Sequence, residues 1–316
     1  MNQPLISILT PSFNQAKYLE QTILSVFSQD YPAIEYLIID GGSTDGSNEI
    51  IEKYSDRIAW WVSEKDAGQA DAVNKGLKQA KGKYIGWLNS DDLYLPGAIS
   101  QAVELLETNP EAAFVFGNVK SIDENGKVTN IMRYDHWELP DLMHFNIIGQ
   151  PGVFIRKENM EKVGGLDLNY HFLLDHHLWL RLAAGSDVIF SDKIWAAARF
   201  HPNAKNVALA PDFGKEAIRL AKWMEGSSLY SDLWIENKNK VWAGAYRIKA
   251  RYLLDAGKNW DSIVAYLQGF KFSPGTILPE SHRFFYAVLS LIGFSFLKKL
   301  YLKMRFFVSR PDRQRD

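Results

Sequence analysis

Apolar runs and helix-like patterns alternate from the start of the chain, and this alternation limits the possible folds more than any other feature. Four runs have the length and composition of buried strands, namely 5–10, 35–39, 58–62 and 84–88. Four segments with apolar residues at helical spacing follow them, namely 18–28, 48–54, 70–80 and 98–107. Strands and helices that alternate in this way form right-handed βαβ units. The pattern therefore predicts an α/β fold with a mainly parallel, doubly wound sheet.

Acidic residues follow two of these strands directly. Asp40 ends the second strand, and Asp91 and Asp92 follow the strand at 84–88. Because ligands bind at the carboxyl ends of parallel strands, we expect Asp40 and Asp92 at the same end of the sheet. Two adjacent carboxylates repel each other, and Mg²⁺ or Mn²⁺ bound by their oxygen atoms would relieve this repulsion. The alternative is a cap for the helix that begins at Ala98, and both interpretations remain open on this stretch alone.

Length and composition exclude several classes of protein. The 316 residues, 47% of them hydrophobic, suffice for one large domain with an appendage or for two domains. A formal net charge of −1 argues against nucleic acid as a partner, and the lack of cysteine excludes disulfides and thiolate zinc sites. No G-x-G-x-x-G follows the first strand and no G-x-x-x-x-G-K-[ST] occurs, which disfavours dehydrogenases and P-loop enzymes. The first residues lack the pattern of a signal peptide, so we expect a cytoplasmic catalytic part.

The second half of the chain divides into two patterns. Further strands are predicted at 112–117, in a hairpin of 119–122 with 128–132, and at 153–155, 188–190 and 194–198. A short helix is expected from Lys157 and another over 174–182. From Asp212 onward the pattern is helical, including 242–254 and 262–272. We therefore expect an α/β domain over 1–205 and a helical appendage over 206–316.

Five motifs, in this order and spacing, resemble those of the family-2 glycosyltransferases, which have the GT-A fold. They are Ser7–Asn14, Ile39–Gly46, Glu64–Gln69 with Asn74–Gly76, Trp87–Asp92 and Asp175–Arg181. The resemblance covers residues 4–205 and implies a metal-dependent, inverting enzyme. Such an enzyme moves a sugar from a nucleotide-diphosphate donor to a hydroxyl of a glycan or lipid-linked acceptor. The resemblance is to enzymes that make bacterial surface polysaccharides such as lipopolysaccharide, capsule or exopolysaccharide.

The resemblance also implies roles for individual residues. The donor would contact Thr10, Pro11, Ser12, Asn14, Asp40, Gly41, Asp66, Gln69, Asp71, Lys75, Asn89, Ser90 and Asp91. Asp91, Asp92 and His201 would bind the Mg²⁺ or Mn²⁺ ion, and Asp175 would be the general base. The acceptor side would be formed by Gln150, Pro151, Gly152 and Trp179.

Structural alternatives exist for three of these assignments. Asp71 and Lys75 are spaced for an ordinary i,i+4 ion pair, and Asp175 could cap its helix. His201 could be a loop histidine with ordinary hydrogen bonds.

The chain departs from the family pattern at two positions. Leu174 stands where the family usually has a glutamate before the base. Gly41 stands where many relatives have a second aspartate, which often contacts a uracil base. A UDP-sugar is the first expectation for the donor, and guanosine and thymidine diphosphate sugars remain alternatives.

Two other functions compete with glycosyl transfer. A nucleotidyltransferase would need a glycine-rich, basic loop after the first strand, and 11–14 is neither. A non-catalytic module that binds glycans or nucleotides would not need Asp91, Asp92 and Asp175 together.

The last part of the chain suggests contact with a membrane. Residues 284–297 form an almost uncharged run that is followed by lysines and arginines. The run is shorter than the ~20 residues that span a bilayer. We expect either peripheral membrane contact through 283–308 at the inner face of the cell membrane, or a core or homodimer helix.

Overall fold

The computed structural model describes residues 3–201 and 209–293. These residues form two compact units. The first comprises the described residues up to 142 together with 147–201, and the second comprises 143–146 and the described residues from 209 onward. The predicted domain boundary at residue 205 lies outside the described residues.

The first half of the first unit alternates strands and helices, as the sequence predicts. Its elements are β1 (Ile6–Ser12), α1 (Ala16–Phe27), β2 (Ile34–Asp40), α2 (Ser47–Lys53), β3 (Trp60–Ser63), α3 (Gln69–Gln79), β4 (Tyr84–Trp87), β5 (Leu93–Tyr94) and α4 (Ala98–Thr108).

The second half of this unit is less regular. Its elements are β6 (Ala112–Ile122), β7 (Val128–Met132), α5 (Leu139–Met143), a 3-10 turn (Gln150–Gly152), β8 (Val153–Arg156), α6 (Lys157–Lys162), α7 (Leu174–Ala183) and β9 (Asp187–Arg199).

Within the described residues these strands form one nine-stranded sheet. Its order is β3-β2-β1-β4-β8-β6-β9-β5, and β7 pairs with β6 outside this path. The strands β3, β2, β1 and β4 are parallel, whereas β8 runs antiparallel to both β4 and β6. Because β2 and β4 both pair in parallel with β1, Asp40 and the loop after β4 lie at the same end of the sheet. The predicted α/β fold class is confirmed, with a mixed rather than parallel second half.

Burial explains why the first strands form. Ile6, Ile8 and Leu9 of β1 have no exposed surface, as expected for a strand covered on both faces. Helix α3 packs closely on this sheet at Gly76. A Cβ atom at this position would lie only 2.7 Å from Cδ1 of Ile39. A larger residue at position 76 would therefore push the helix away from the strands.

Two strand predictions differ from the structure. The runs at 112–117 and 119–122 are one continuous strand, β6, and those at 188–190 and 194–198 are one strand, β9. Register shifts near Gly117 and Asn118 allow the two strands to stay paired through the interruptions that the sequence shows. Strand β5 was not predicted, because two residues carry no periodicity.

The second unit is helical. Its elements are α8 (Ala210–Gly226), a 3-10 turn (Ser228–Tyr230), α9 (Ser231–Asp255), α10 (Asn259–Phe272), α11 (Pro274–Ile277), a 3-10 turn (Leu278–Glu280) and α12 (Ser281–Leu291). Among the described residues, no helix combines the length and the apolar character needed to cross a bilayer. Residues 294–308 of the predicted membrane segment lie outside the described residues.

A buried charge cluster joins three helices and a turn of this unit. Glu280 is 5% exposed and accepts a hydrogen bond from the Tyr266 hydroxyl. Its carboxylate pairs with Arg251, and Arg247 and Arg283 lie within 4.0 Å of it. Burial opposes ionisation, but these guanidinium groups, with Arg251 foremost, lower the pKa of Glu280 to about 2. The carboxylate therefore stays charged inside the helical unit.

Candidate active site

Asp40 organises the turn at the carboxyl end of β2. Its fully buried carboxylate accepts hydrogen bonds from the backbone N–H groups of Gly42 and Ser43. The hydroxyl groups of Ser43 and Ser63 donate to the same carboxylate. These four hydrogen bonds let Asp40 shape the glycine-rich turn. The base or ribose of a sugar nucleotide would have to replace one of them to contact the Asp40 carboxylate.

The loop after β1 is fixed against this turn. Asn14 adopts a φ of 52°, in the left-handed region, and its Oδ1 atom accepts a hydrogen bond from the N–H of Thr44. Its own N–H donates to the Ser43 hydroxyl. Asn14 thus holds the two loops together through its backbone N–H and its amide oxygen.

The last residues of β1 differ in what they offer to a ligand. Thr10 and Pro11 are buried, and the Thr10 hydroxyl accepts a hydrogen bond from Tyr36. Ser12 is 4% exposed, and its hydroxyl has no hydrogen-bond partner among the described residues. A buried hydroxyl without a partner is costly, so a bound ligand could satisfy it. Ser12 is therefore the best candidate for donor contact on β1.

Asp66 lies next to the glycine that departs from the family pattern. A Cβ atom at Gly41 would be 2.9 Å from the Oδ2 atom of Asp66. The Oδ1 atom of Asp66 accepts a hydrogen bond from the N–H of Gly68, which fixes the carboxylate at this place. The loop after β3 thus places the Asp66 carboxylate beside Gly41, where many relatives have an aspartate in the sequence.

The loop before α3 is held by charges. Nζ of Lys75 lies 2.9 Å from the Glu64 carboxylate and 3.5 Å from that of Asp71. Asp71 also accepts a hydrogen bond from the N–H of Ala67. The expected i,i+4 ion pair is present, and both residues position the loop that carries Asp66.

Asn89 connects the loop after β4 to three other parts of the site. Its Oδ1 atom accepts hydrogen bonds from Nε2 of Gln69, at 2.6 Å, and from the Trp87 indole, at 3.0 Å. Its Nδ2 atom donates to Oε1 of Gln150, at 2.9 Å, and to Asp92, at 3.3 Å. Ser90 beside it is buried. Asn89 and Ser90 therefore support the loop from within.

The geometry does not favour the acceptor-side prediction for Gln150, Pro151 and Gly152. All three residues are buried, and the Gln150 side chain also donates to the carbonyl of Trp87. Through Gln150 they support the loop after β4.

The two adjacent aspartates of that loop point to different partners. Oδ1 of Asp92 accepts a hydrogen bond from the backbone N–H of Arg199, at 2.8 Å, and Asp92 is 5% exposed. Its burial, and secondly the charge of Asp91, raise the pKa of Asp92 well above its usual range. Oδ2 of Asp91 instead lies 3.1 Å from Nε2 of His201. The geometry does not support the predicted metal ligation by Asp92.

Asp91 and His201 are suitable ligands for a divalent cation. Within the described part of the chain, no three His, Cys, Asp or Glu side chains are grouped as a closed metal site. A carboxylate oxygen and an imidazole nitrogen suit Mn²⁺, and waters or substrate phosphates commonly complete such a coordination shell. The pair thus fits a site that a diphosphate would complete.

Arg199 was not identified from the sequence. It is 4% exposed, and its guanidinium donates to the carbonyls of Asp91, Asp123 and Glu124 and to the Gln21 side chain. It therefore holds the backbone of the candidate metal loop. The sequence signal that could have identified Arg199 is its place at the end of a strand, two residues before His201.

Asp175 lies in the first turn of α7 and is partly exposed. Its Oδ1 atom accepts a hydrogen bond from the N–H of His176, at 2.7 Å, which resembles a capping contact. Trp179, one turn further on, has no exposed surface and packs against Phe114 with ring centroids 5.3 Å apart. The Trp179 ring belongs to the core, so this geometry does not favour the predicted contact of Trp179 with an acceptor.

Comparison with known sequences identifies similar proteins. The model of the family described as Glycosyl transferase family 2 matches residues 7–160. An uncharacterized glycosyltransferase of Haemophilus influenzae is 34% identical over 185 residues, which are 55% of this chain and 72% of that protein. The putative teichuronic acid biosynthesis glycosyltransferase TuaG of Bacillus subtilis is 32% identical over 168 residues, or 51% of this chain and 66% of that protein.

Some relatives are much longer than the region they share with this chain. An uncharacterized glycosyltransferase of Rickettsia bellii is 30% identical over 208 residues, which are 63% of this chain. The alignment covers 30% of that protein, and 64% of a similar protein of Rickettsia typhi.

Solved structures share the fold. S. aureus TarS 1–349 superposes with a TM-score of 0.62 at 17% identity, covering 96% of this chain and 90% of that one. Mannosyltransferase PcManGT from Pyrobaculum calidifontis, in complex with GDP-Man and Mn²⁺, superposes with a TM-score of 0.61 at 17% identity. This superposition covers 98% of this chain and 84% of the PcManGT chain. TarS 1–349 is also known in complex with UDP-GlcNAc. These similarities establish the GT-A-like fold.

Proposed function

Because the chain belongs to glycosyl transferase family 2, we propose that it transfers a sugar from a nucleotide-diphosphate donor to a hydroxyl group of a saccharide acceptor. The observation that supports this most is the 3.1 Å approach of His201 to Asp91 at the carboxyl end of β4. The same end of the sheet carries the buried turn of Asp40 and the carboxylate of Asp66. It also carries the Ser12 hydroxyl, which has no partner within the described ranges. This combination suits a nucleotide with its diphosphate at the cation.

The cation would be held by Asp91 and His201. When bound, a divalent ion neutralises the charge of the diphosphate leaving group, an effect worth several kcal/mol. The chain itself contributes Arg199, which fixes the backbone of Asp91 through the hydrogen bond from its Nε atom, at 2.9 Å. Asn89 fixes the other side of the loop through Gln69 and Gln150.

We propose Asp175 as the general base of a single displacement that inverts the anomeric centre. The acceptor hydroxyl loses its proton during attack, and a positioned carboxylate accelerates such a step by ~10²–10⁴-fold. Asp175 is partly exposed, in contrast to the buried Asp40 and Asp92, and can receive a proton from outside the core.

UDP-sugars are the first donors to test. TarS binds UDP-GlcNAc and PcManGT binds GDP-Man, so both uracil and guanine occur among proteins with this fold. The Asp66 carboxylate beside Gly41 can accept a hydrogen bond from an N–H group of either base. The name of TuaG supports a place in bacterial surface polysaccharide synthesis. We propose that the enzyme acts at the cytoplasmic face of the membrane.

The helical unit supports peripheral membrane contact. Phe285, Leu289 and Ile292 of the last described helix and its end are 62%, 37% and 65% exposed. Their i, i+4, i+7 spacing places them on one helix face, and lysines and arginines follow in the sequence from residue 298. An apolar face with basic residues at its end suits a surface of anionic lipid, where a lipid-linked acceptor would be found.

Vesicle flotation tests the membrane proposal. Phe285→Ser combined with Leu289→Ser should remove the protein from vesicles that contain phosphatidylglycerol. Ile235→Ser, at another residue of the same unit that is 77% exposed, should not do so. If the wild-type protein does not bind these vesicles and is dimeric in solution, the result would favour the alternative that this face is a homodimer interface.

The transfer itself is tested by incubating the purified protein with a panel of UDP-, GDP- and dTDP-sugars. We expect release of the nucleoside diphosphate from one of them, dependent on Mn²⁺ or Mg²⁺ and abolished by a chelator. Formation of a sugar nucleotide from a nucleoside triphosphate and a sugar 1-phosphate would instead identify a nucleotidyltransferase. Binding without any turnover would identify a non-catalytic module.

A further inference from the structure

A group of aromatic side chains is formed by the segment that follows β7 and by Phe190 of β9. Tyr134 and Trp137 have ring centroids 5.4 Å apart, and His136 and Phe190 also lie 5.4 Å apart. The fully buried ring of Phe116 contacts Tyr134, Trp137 and Phe190, at 6.1, 6.4 and 5.4 Å. We call Tyr134, His136, Trp137 and Phe190 the aromatic platform. Each of its members keeps part of its surface exposed, whereas the ring that supports them does not.

The platform is fixed at both ends of its chain segment. The N–H of Tyr134 donates to Oδ1 of Asn118 on β6, at 2.8 Å, and the Tyr134 hydroxyl accepts a hydrogen bond from the N–H of Gly149, also at 2.8 Å. Beyond Trp137, the carbonyl of Leu142 lies 3.0 Å from Nε2 of His176. Because these contacts are short and partly buried, the rings have a defined position rather than that of a loose surface loop.

One of these contacts joins the chain segment of the platform to α7, the helix that carries Asp175. His176, which holds the segment at Leu142, directly follows Asp175 in the first turn of α7. Burial is the main reason why the pKa of Tyr134 is raised, and the negative charge of Asp175 raises it further, as expected for neighbouring groups. The Phe116 ring contacts the Phe114 ring, with centroids 6.2 Å apart. Phe114 in turn contacts Trp179, which lies on the same helix as Asp175.

The composition of this surface suits a carbohydrate. Sugar rings present apolar C–H faces that pack on aromatic rings, and hydroxyl groups that need hydrogen-bond acceptors at the rim. Asp135 and Glu138 are exposed on either side of His136 and Trp137 and carry such acceptors.

We propose that the aromatic platform is the acceptor subsite, where a pyranose ring stacks on Trp137 and presents a hydroxyl group to Asp175. This inference rests on the proposed glycosyl transfer and assigns its acceptor side, for which the sequence had indicated the buried Trp179. Trp137 is a binding residue here, so its loss raises the KM for the acceptor more than it lowers kcat.

Fluorine NMR of the protein labelled with 5-fluorotryptophan tests binding without knowledge of the natural acceptor. The chain has ten tryptophans, and Trp137→Phe and Trp260→Phe assign two of their resonances by loss of signal. Methyl glycosides of glucose, galactose, mannose and N-acetylglucosamine serve as probes, in the presence of nucleoside diphosphate and Mn²⁺. Trp260 is the matched control, because it is 65% exposed and lies in the helical unit.

We expect at least one glycoside to shift the Trp137 resonance in a saturable manner and to leave Trp260 unchanged. If no glycoside shifts Trp137, or if Trp260 shifts equally, the inference is overturned. Trp137→Phe retains a ring and should weaken the affinity for that glycoside by about tenfold or less, whereas Trp137→Leu should weaken it by more than tenfold.

Donor turnover separates this inference from the proposed function. Hydrolysis of the donor without an acceptor should be the same in Trp137→Leu and the wild type, because the cation and donor residues are intact. Equal glycoside affinity in Trp137→Leu and the wild type overturns the acceptor subsite and leaves glycosyl transfer standing. Absence of donor turnover in the wild type, with glycoside binding intact, would contradict the proposed function instead.

Discussion

Nε2 of His201 lies 3.1 Å from Oδ2 of Asp91, and this contact joins residues that are 110 positions apart in the chain. The neighbouring carboxylate of Asp92 takes no part in it, because it accepts a hydrogen bond from the backbone of Arg199. The ligand pair of the candidate cation site is therefore formed by a loop after β4 and the residue that follows β9 by two positions. Two adjacent acids in the sequence have separate tasks in the structure.

Asparagine variants of the two aspartates should separate these tasks. Asp91→Asn should weaken Mn²⁺-dependent binding of UDP by 100-fold or more, since loss of a charged ligand costs several kcal/mol. Asp92→Asn should retain that binding within about tenfold and lower thermal stability, because its side chain supports buried backbone. Calorimetry with and without a chelator measures the first effect. An Asp92→Asn protein that loses metal-dependent binding as completely as Asp91→Asn would refute this division.

The contact between Gly41 and Asp66 should control recognition of the base. Gly41→Asp restores the acid that many relatives have, yet it should weaken nucleotide binding here. The new side chain would have to begin 2.9 Å from the Asp66 carboxylate, and the two charges would repel each other. The double variant Gly41→Asp with Asp66→Gly should recover binding. Calorimetric affinity for the nucleotide is the measurement, and unchanged binding by Gly41→Asp alone would count against the role of Asp66.

Acid should destabilise the helical unit through Glu280. Its pKa is about 2 in the folded chain against 4.5 for the free side chain, because burial is outweighed by Arg251, Arg247 and Arg283. Between these values the unfolded chain binds a proton that the folded chain does not. The contribution is therefore fully present above about pH 4.5 and is lost as the pH falls towards 2, with a total of about 3 kcal/mol.

Denaturant titrations from pH 6 to pH 3 check the Glu280 prediction. The difference in unfolding free energy between the wild type and Glu280→Gln should stay constant from pH 6 to about pH 4.5 and shrink below that pH. Glu225→Gln, at an exposed glutamate of α8, should show no such trend. A difference that is constant over this range would mean that the arginines do not depress the pKa of Glu280.

Local sequence patterns were sufficient for the first half of the fold. The apolar runs of β1, β2 and β4 are long enough to be identified as buried strands, and their parallel pairing follows from the helices between them. That pairing also placed Asp40 and Asp92 correctly at one end of the sheet. The continuity of β6 and β9 was not predictable, because it depends on register shifts between strands that are far apart in sequence.

The candidate site was predicted less well, because its geometry depends on contacts between distant residues. Nothing near Asp92 in the sequence indicates that the backbone of Arg199 will bind its carboxylate. Trp179 follows Asp175 by one helical turn, and only the position of Phe114 decides that its ring enters the core. Trp137 stands in a stretch without a motif, and its position results from ring contacts with Tyr134 and with Phe116 of β6.

The rate of sugar transfer to an acceptor by Asp175→Asn tests the central claim most directly. Asparagine preserves the shape of the side chain and can accept the hydrogen bond from His176, whereas it cannot take a proton from the acceptor. Asp167→Asn is the control, because the Asp167 carboxylate accepts hydrogen bonds from Asn169 in a turn that precedes α7. We predict native folding and donor affinity for Asp175→Asn, with sugar transfer reduced by ~10²–10⁴-fold. Transfer at half the wild-type rate or more, with the control unaffected, would contradict the account.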